Sequence, residues 1–213
     1  MGRPSLSSPV GRLSGSRWNS AQVNIDIFRA INSFQVHTSW LQGPGLFYAK
    51  TGGPLVMAVL LVLGVVMARG RGRADGLARA LWAGLSTLVA VGLNQPIVHA
   101  VNRARPYRAL SHVHLLGTPS MDASFPSDHG TLAGATIAGL FLLDRRLGFT
   151  ALVFGLLLAF SRVYVGAHYP LDVVAGLAVG AAVALLGWLL VRRPLTAVMA
   201  ALGRSRLRRL VTA

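Results

Sequence analysis

Three short stretches of the 213-residue chain hold the side chains best suited to chemistry. The segment from Ser161 to Asp172 contains Arg162, His168 and Asp172. Pro170 suits the first turn of a helix and places Asp172 in that same turn, so its carboxylate can reach back to His168. Held through one ring nitrogen as N–H, the imidazole would keep its other nitrogen free to attack. A second stretch, Pro126-Ser127-Asp128-His129-Gly130, opens an apolar run. Ser127 is a natural N-cap, and a helix starting at Asp128 would aim backbone amides and a positive dipole end at an anion. A third stretch, Asn102 to Arg108, supplies Arg103 and Arg105. Each stretch also has a plainer reading: helix capping by Ser127, Asp128 and Asp172, histidines resting at an interface, and arginines anchoring helix ends. Taken together, two imidazoles, a carboxylate, two or three guanidinium groups and a helix end make up the parts needed for phosphoryl transfer.

Membrane helices must position those parts. The chain is 53% hydrophobic and only 13% charged, with a mean hydropathy of +0.55, which is too apolar for an ordinary soluble domain. Five apolar stretches, near 46–68, 77–101, 130–143, 148–165 and 171–191, predict an all-α polytopic bundle with five spans. The third is short against the roughly 20 residues that cross hydrocarbon, unless the residues before it are helical as well. Between Ala21 and Val36, Val23, Ile27, Ile31 and Phe34 recur at helical spacing among polar residues. This predicts an N-terminal amphipathic helix lying in the interface, with a sixth span as the alternative. Residues 1–19 read as a disordered basic lead-in, 20–192 as the membrane domain and 193–213 as a basic cytoplasmic tail.

Charge is lopsided. The formal net charge is +15, and all six acids are aspartates: Asp26, Asp75, Asp122, Asp128, Asp144 and Asp172. Arginines between and after apolar runs suit anionic headgroups rather than nucleic acid. The chain has no cysteine, which excludes disulfides and thiolate metal sites. His112 and His114 form an HxH pair without an evident third ligand nearby, so no metal is expected. Four arginines in 69–79, then Arg145 and Arg146, then the basic tail mark one side as cytoplasmic. The connections 102–129 and 166–170 then share the outer side, and with them all three chemical stretches. Arg103, Arg105 and Arg108 run against that bias, as ligand-binding cations would.

Order and spacing of these residues resemble the type 2 phosphatidic acid phosphatase superfamily, integral membrane lipid phosphatases with a three-part signature. Arg105-Pro106, then Pro126-Ser127-Asp128-His129, then Ser161-Arg162, His168 and Asp172 match it in sequence. The signature and its flanking spans cover about residues 46–191. The resemblance implies a metal-independent phosphatase without cofactor, working through a phosphohistidine. His168 would attack phosphorus, Asp172 would orient it, and His129 would protonate the leaving oxygen. Arg105, Arg162, Ser127, and the amides near Asp128 and Gly130, with Arg103 as a further candidate, would bind the phosphoryl oxygens. Two positions depart from the pattern. Val98 stands where the family has a lysine, with His99 or Arg103 as possible substitutes. Asp128 stands where it has glycine, and Ser-Phe-Pro-Ser-Asp-His is similar to the branch acting on undecaprenyl diphosphate. An aspartate there is expected to orient an arginine. The implied setting is the plasma membrane, with an outward-facing site and a prenyl diphosphate substrate. Other phosphorylated lipids, and a non-catalytic anionic-lipid binder on the same fold, remain alternatives. Oligomeric state is not legible.

Overall fold

The structure, a computed structural model, describes residues 20–205. The basic lead-in at 1–19 and the end of the tail, 206–213, lie outside the described residues. Eight α-helices follow in order: α1 Ser20–His37, α2 Ser39–Phe47, α3 Gly53–Gly70, α4 Ala74–Val101, α5 Pro106–Ala109, α6 Asp128–Leu143, α7 Arg145–Tyr164 and α8 Pro170–Arg204. A π-helical turn, Tyr48–Gly52, joins α2 to α3, so the first apolar stretch is one continuous helical segment from Ser39 to Gly70.

Local signals set the helix ends. Ser127 caps α6, its Oγ accepting from the Gly130 amide at 3.3 Å. Asp144 caps α7 by accepting from the amides of Arg146 at 2.9 Å and Leu147 at 3.3 Å. Asn102 stops α4 in the left-handed region, at φ 45 and ψ 43. Pro170 opens α8, and Asp172 accepts from the Tyr169 amide at 2.9 Å. The last helix continues past residue 192 and through Pro194 to Arg204.

Among the described residues, four segments are long and apolar enough to cross a membrane: Ser39–Gly70, Ala74–Ala109, Arg145–Tyr164 and Pro170–Arg204. Their outward faces are greasy, with Leu88 73% and Leu190 81% exposed, as lipid contact demands and water does not tolerate. Helix α6 has 16 residues, about 24 Å at 1.5 Å per residue. It begins two residues before its apolar run, at Asp128. Its far end lies beside the start of α4, where Arg79 donates to the Leu142 carbonyl at 2.8 Å, and of α7, capped by Asp144. It therefore runs the length of the bundle as a fifth crossing, enclosed by α4, α7 and α8 and buried over most of its length.

Enclosure of α6 depends on small residues. Apolar spans have little hydrophobic drive to associate in lipid, so close backbone contact must hold them. A Cβ on Gly130 would meet the Val173 carbonyl at 2.7 Å, and one on Gly139 would meet Ala83 Cα at 2.7 Å. Gly134 and Gly180 have the opposing helix backbone closer still. Helix α1 is not a sixth span. It lies against the loops at the end of the bundle where α6 begins: Phe28 packs on Tyr169 and Asn24 accepts from the Leu171 amide at 2.9 Å. Asn32 brackets the His114 backbone, accepting from its amide at 2.9 Å and donating to its carbonyl at 2.8 Å. The HxH pair thus belongs to a loop clamped by α1, with His112 at φ 58.

Candidate active site

At that same end lies a cavity of about 460 Å³. Arg105, from the start of α5, Asp128 and His129, from the first turn of α6, Arg162, from the last turn of α7, and His168, from the α7–α8 loop, all line it. Three stretches separated by a 17-residue loop and by 30 residues of mostly apolar helix therefore converge, because α4, α6, α7 and α8 each present one terminus to the same end. The opposite end holds Arg71, Arg73, Arg79, Arg145 and Arg146 around Asp75 and Asp144.

His168 is almost fully buried, at 3% exposure. Its Nδ1 faces the Ser124 carbonyl at 2.8 Å, and a carbonyl can only accept, so Nδ1 carries the hydrogen. Its Nε2 then presents a lone pair, which lies 3.1 Å from Arg105 Nη1. Burial, and after it the nearby Arg162 and Arg105 charges, hold this imidazole well below the usual histidine range, so the ring is neutral at pH 7.

Asp172 does not hold the ring directly. The carboxylate and Nδ1 are 3.9 Å apart, beyond hydrogen-bond reach. Instead Asp172, wholly buried, accepts from the Ser124 hydroxyl, from the Tyr169 amide at 2.9 Å and from Arg103 Nη1 at 2.9 Å. Ser124 links the two, with its hydroxyl on the carboxylate and its carbonyl on the imidazole. The expected reach of Asp172 back to His168 is therefore corrected to an indirect one. The carboxylate was expected four residues on in the same turn, but His168 precedes that helix, and its ring turns toward the 122–127 loop.

Arg103 is corrected likewise. It does not line the cavity: its guanidinium pairs with Asp172 and lies 4.1 Å over the Tyr169 ring. Ser127 and Gly130 are bonded to each other through the cap, the Ser127 Oγ accepting from the Gly130 amide, and neither lines the cavity. Asp128 does line the cavity, yet its partners are amides and no arginine bonds it. Asn94 Nδ2 donates to it at 2.7 Å and Gln95 Nε2 at 2.9 Å, both from α4. Val98 is buried in α4, and His99 on the next position is exposed and outside the cavity.

Guanidinium placement is specific. Arg105, 8% exposed, donates through Nε to the Asp122 carbonyl at 3.0 Å and through Nη1 to the Ala167 carbonyl at 3.2 Å. Arg162 donates through Nη1 to the Ala49 carbonyl at 3.0 Å, while its Nε is buried without a partner. Neither is neutralised by an ion pair among the described residues. Two guanidinium groups without an ion-pair partner, lining one cavity with two imidazoles, have the charge and donors that a tetrahedral dianion would need. Ser124 and Lys50 are parts of this region that motif spacing does not mark. Lys50 alone had a signal, as the only lysine in the chain. Among the described residues, no group of three or more potential metal ligands comes together.

Comparison with known proteins agrees with this geometry. The PAP2 superfamily profile matches residues 79–195, which run from α4 into α8 and include every cavity residue named above except Lys50. The chain is 34% identical over 160 residues to the undecaprenyl-diphosphatase BcrC of Bacillus subtilis, covering 74% of this chain and 78% of that one. It is 28% identical over 164 residues to an undecaprenyl-diphosphatase of Sulfolobus acidocaldarius, covering 76% of each. In fold it is similar to the crystal structure of a transmembrane PAP2-type phosphatidylglycerolphosphate phosphatase from Bacillus subtilis. That match has a TM-score of 0.53 at 22% identity, covering 80% of this chain and 85% of the other.

Proposed function

The chain belongs to the PAP2 superfamily and is a multi-pass membrane lipid phosphatase, and on that premise we propose that it removes the terminal phosphate of a long-chain prenyl diphosphate, through a phosphohistidine on His168. The observation that carries this reading is the shared cavity, in which the buried, neutral His168 has a lone pair on Nε2 beside two unpaired guanidinium groups.

In this mechanism Arg105 and Arg162 turn to the equatorial oxygens of the terminal phosphoryl group, and the Arg105 hydrogen bond to Nε2 is released. Nε2 attacks phosphorus as the bridging P–O bond breaks, and that electron pair leaves on the prenyl phosphate oxygen. His129, the other imidazole lining the cavity, takes up a proton as the substrate's negative charge offsets Arg105 and Arg162, donates it to that oxygen, and then takes one from the water that hydrolyses the phosphohistidine. The developing imidazolium of His168 is held by the Ser124 carbonyl, and the Ser124 hydroxyl and Arg103 fix the Asp172 charge nearby. Guanidinium groups supply the charge stabilisation, so the reaction proceeds without a metal ion. The basic end of the bundle faces the cytoplasm of the cell by the positive-inside rule, which puts the cavity on the outer face of the plasma membrane.

Purified protein is tested on prenyl diphosphate, prenyl monophosphate, phosphatidic acid and phosphatidylglycerol phosphate, each with and without chelator. Preference for the diphosphate, unaffected by chelator, is expected. His168→Ala should abolish both turnover and the acid-labile phosphoenzyme, while His129→Ala should slow turnover through the leaving-group step. Full activity in His168→Ala refutes the assignment, and release of phosphate from none of the lipids supports the non-catalytic binder instead.

A further inference from the structure

The chain has one lysine, and it lines the catalytic cavity. Lys50 is the third residue of the π-helical turn Tyr48–Gly52, between α2 and α3, outside the three stretches that carry the imidazoles and arginines. A π turn adds a residue to the helix and so redirects the side chains within it, a feature often found at functional sites. Here the turn has two effects at the cavity. Ala49, fully buried, gives its carbonyl to Arg162 Nη1 at 3.0 Å. The next residue, Lys50, is carried into the cavity wall, with an exposed side chain.

Its head has a defined place. A Cβ built on Gly117 would lie 3.5 Å from both Cε and Nζ of Lys50, so the ammonium rests against a loop position that has no side chain, at φ +91. No carboxylate pairs with it among the described residues. The two acids in the cavity wall have other partners: Asp122 accepts from the Ser120 hydroxyl at 2.6 Å, and Asp128 from the two α4 amides. Lys50 also stands where cavity and lipid meet. Phe47, three residues before it, is 62% exposed, and Leu55, five after it, 57%.

We propose that Lys50 is a specificity-determining cation that holds the lipid-side phosphate of a diphosphate substrate, while Arg105 and Arg162 hold the terminal one. This rests on the prenyl diphosphatase reading above. A terminal phosphoryl group carries about −1.5 to −2 near neutral pH, which the two buried guanidinium groups balance. A second phosphate adds further negative charge on the side toward the isoprenoid, where a monophosphate substrate has none. When Nε2 of His168 bonds to the terminal phosphorus and the bridging bond breaks, the electron pair settles on the lipid-side phosphate. A cation at that phosphate gains strength as the charge develops, so its contribution falls on the transition state.

The test compares wild type, Lys50→Met and Lys50→Arg on prenyl diphosphate and prenyl monophosphate in the same detergent micelles. In parallel, inorganic diphosphate and inorganic phosphate serve as competitive inhibitors. Lys50→Met should lose on the order of 100-fold in kcat/KM on the diphosphate. Its monophosphate rate should stay within about threefold, which also shows that the variant is folded. Inhibition by inorganic diphosphate should weaken with it and inhibition by phosphate should not, while Lys50→Arg should restore most of the preference. Equal losses on both substrates, or no loss on either, overturn the assignment to the second phosphate while leaving the diphosphatase reading intact. A wild-type enzyme with no preference for the diphosphate overturns both.

Discussion

Ser124→Ala tests whether Asp172 acts on His168 through an intermediary. The substitution removes the hydroxyl that donates to Asp172 but leaves the backbone carbonyl that accepts from His168 Nδ1 at 2.8 Å. A hydrogen bond to a charged group is worth about 1.5 to 3 kcal/mol. Asp172 would keep its two other donors, the Tyr169 amide and Arg103, both at 2.9 Å, so the loss should sit at the low end, about 1.5 kcal/mol. Felt in the transition state, that is roughly tenfold in kcat. KM should not change, because Ser124 is buried and does not line the cavity. Asp172→Asn cancels the charge on which all three donors converge, and should cost on the order of 100-fold. A double-mutant cycle measures the coupling: if the carboxylate works through Ser124, the double variant should be little worse than Asp172→Asn alone. The assay is steady-state phosphate release with thermal unfolding in detergent as a fold control. Ser124→Ala within twofold of wild-type kcat, combined with a 100-fold loss in Asp172→Asn, would refute the relay and put the carboxylate in direct contact with the ring.

Further outcomes follow from packing and charge. Gly134→Ala drives a Cβ into the α8 backbone at Leu177 and should destabilise by about 1 to 3 kcal/mol, read as a lower unfolding temperature in detergent. An unchanged unfolding temperature would show that α6 and α8 can separate without cost. Asp144→Ala removes the α7 cap and should cost about 1 kcal/mol. Arg71→Ala, which breaks only the half-exposed pair with Asp144, should cost less than that. The depressed His168 pKa gives a pH signature. The unfolded chain takes up a proton below about 6.5 that the folded site refuses, so this residue's contribution to stability is complete above that pH and falls as the pH drops through and below it. The acid limb of phosphoenzyme formation due to His168 should accordingly lie below pH 6.5, and a limb at or above it, measured by rapid quench, would contradict a buried neutral ring.

Much of this protein was written in its residue order. Five apolar stretches implied the crossings, arginine bias assigned their ends to two sides, and the spacing of Arg105, His129, Arg162 and His168 implied a common face, because each lies within a few residues of the end of a crossing. Helix geometry carries such local information directly. The cap residue Ser127 was legible for the same reason, since an N-cap depends on the three residues that follow it. What a side chain touches across the bundle was not legible. Asp172 and His168 lie four apart, but the ring turns to a carbonyl at Ser124, and the carboxylate is engaged by a serine 48 residues away and an arginine 69 residues away. Asp128 is bonded to amides of α4 rather than to an arginine, because close glycine contacts set α6 deep between its neighbours. Lys50 enters the cavity only because one helix makes a π turn beside Arg162. Sequence spacing determines which groups reach the same end of a helical bundle. Their pairing depends on rotation and depth of each helix against the others, and those are settled by tertiary packing.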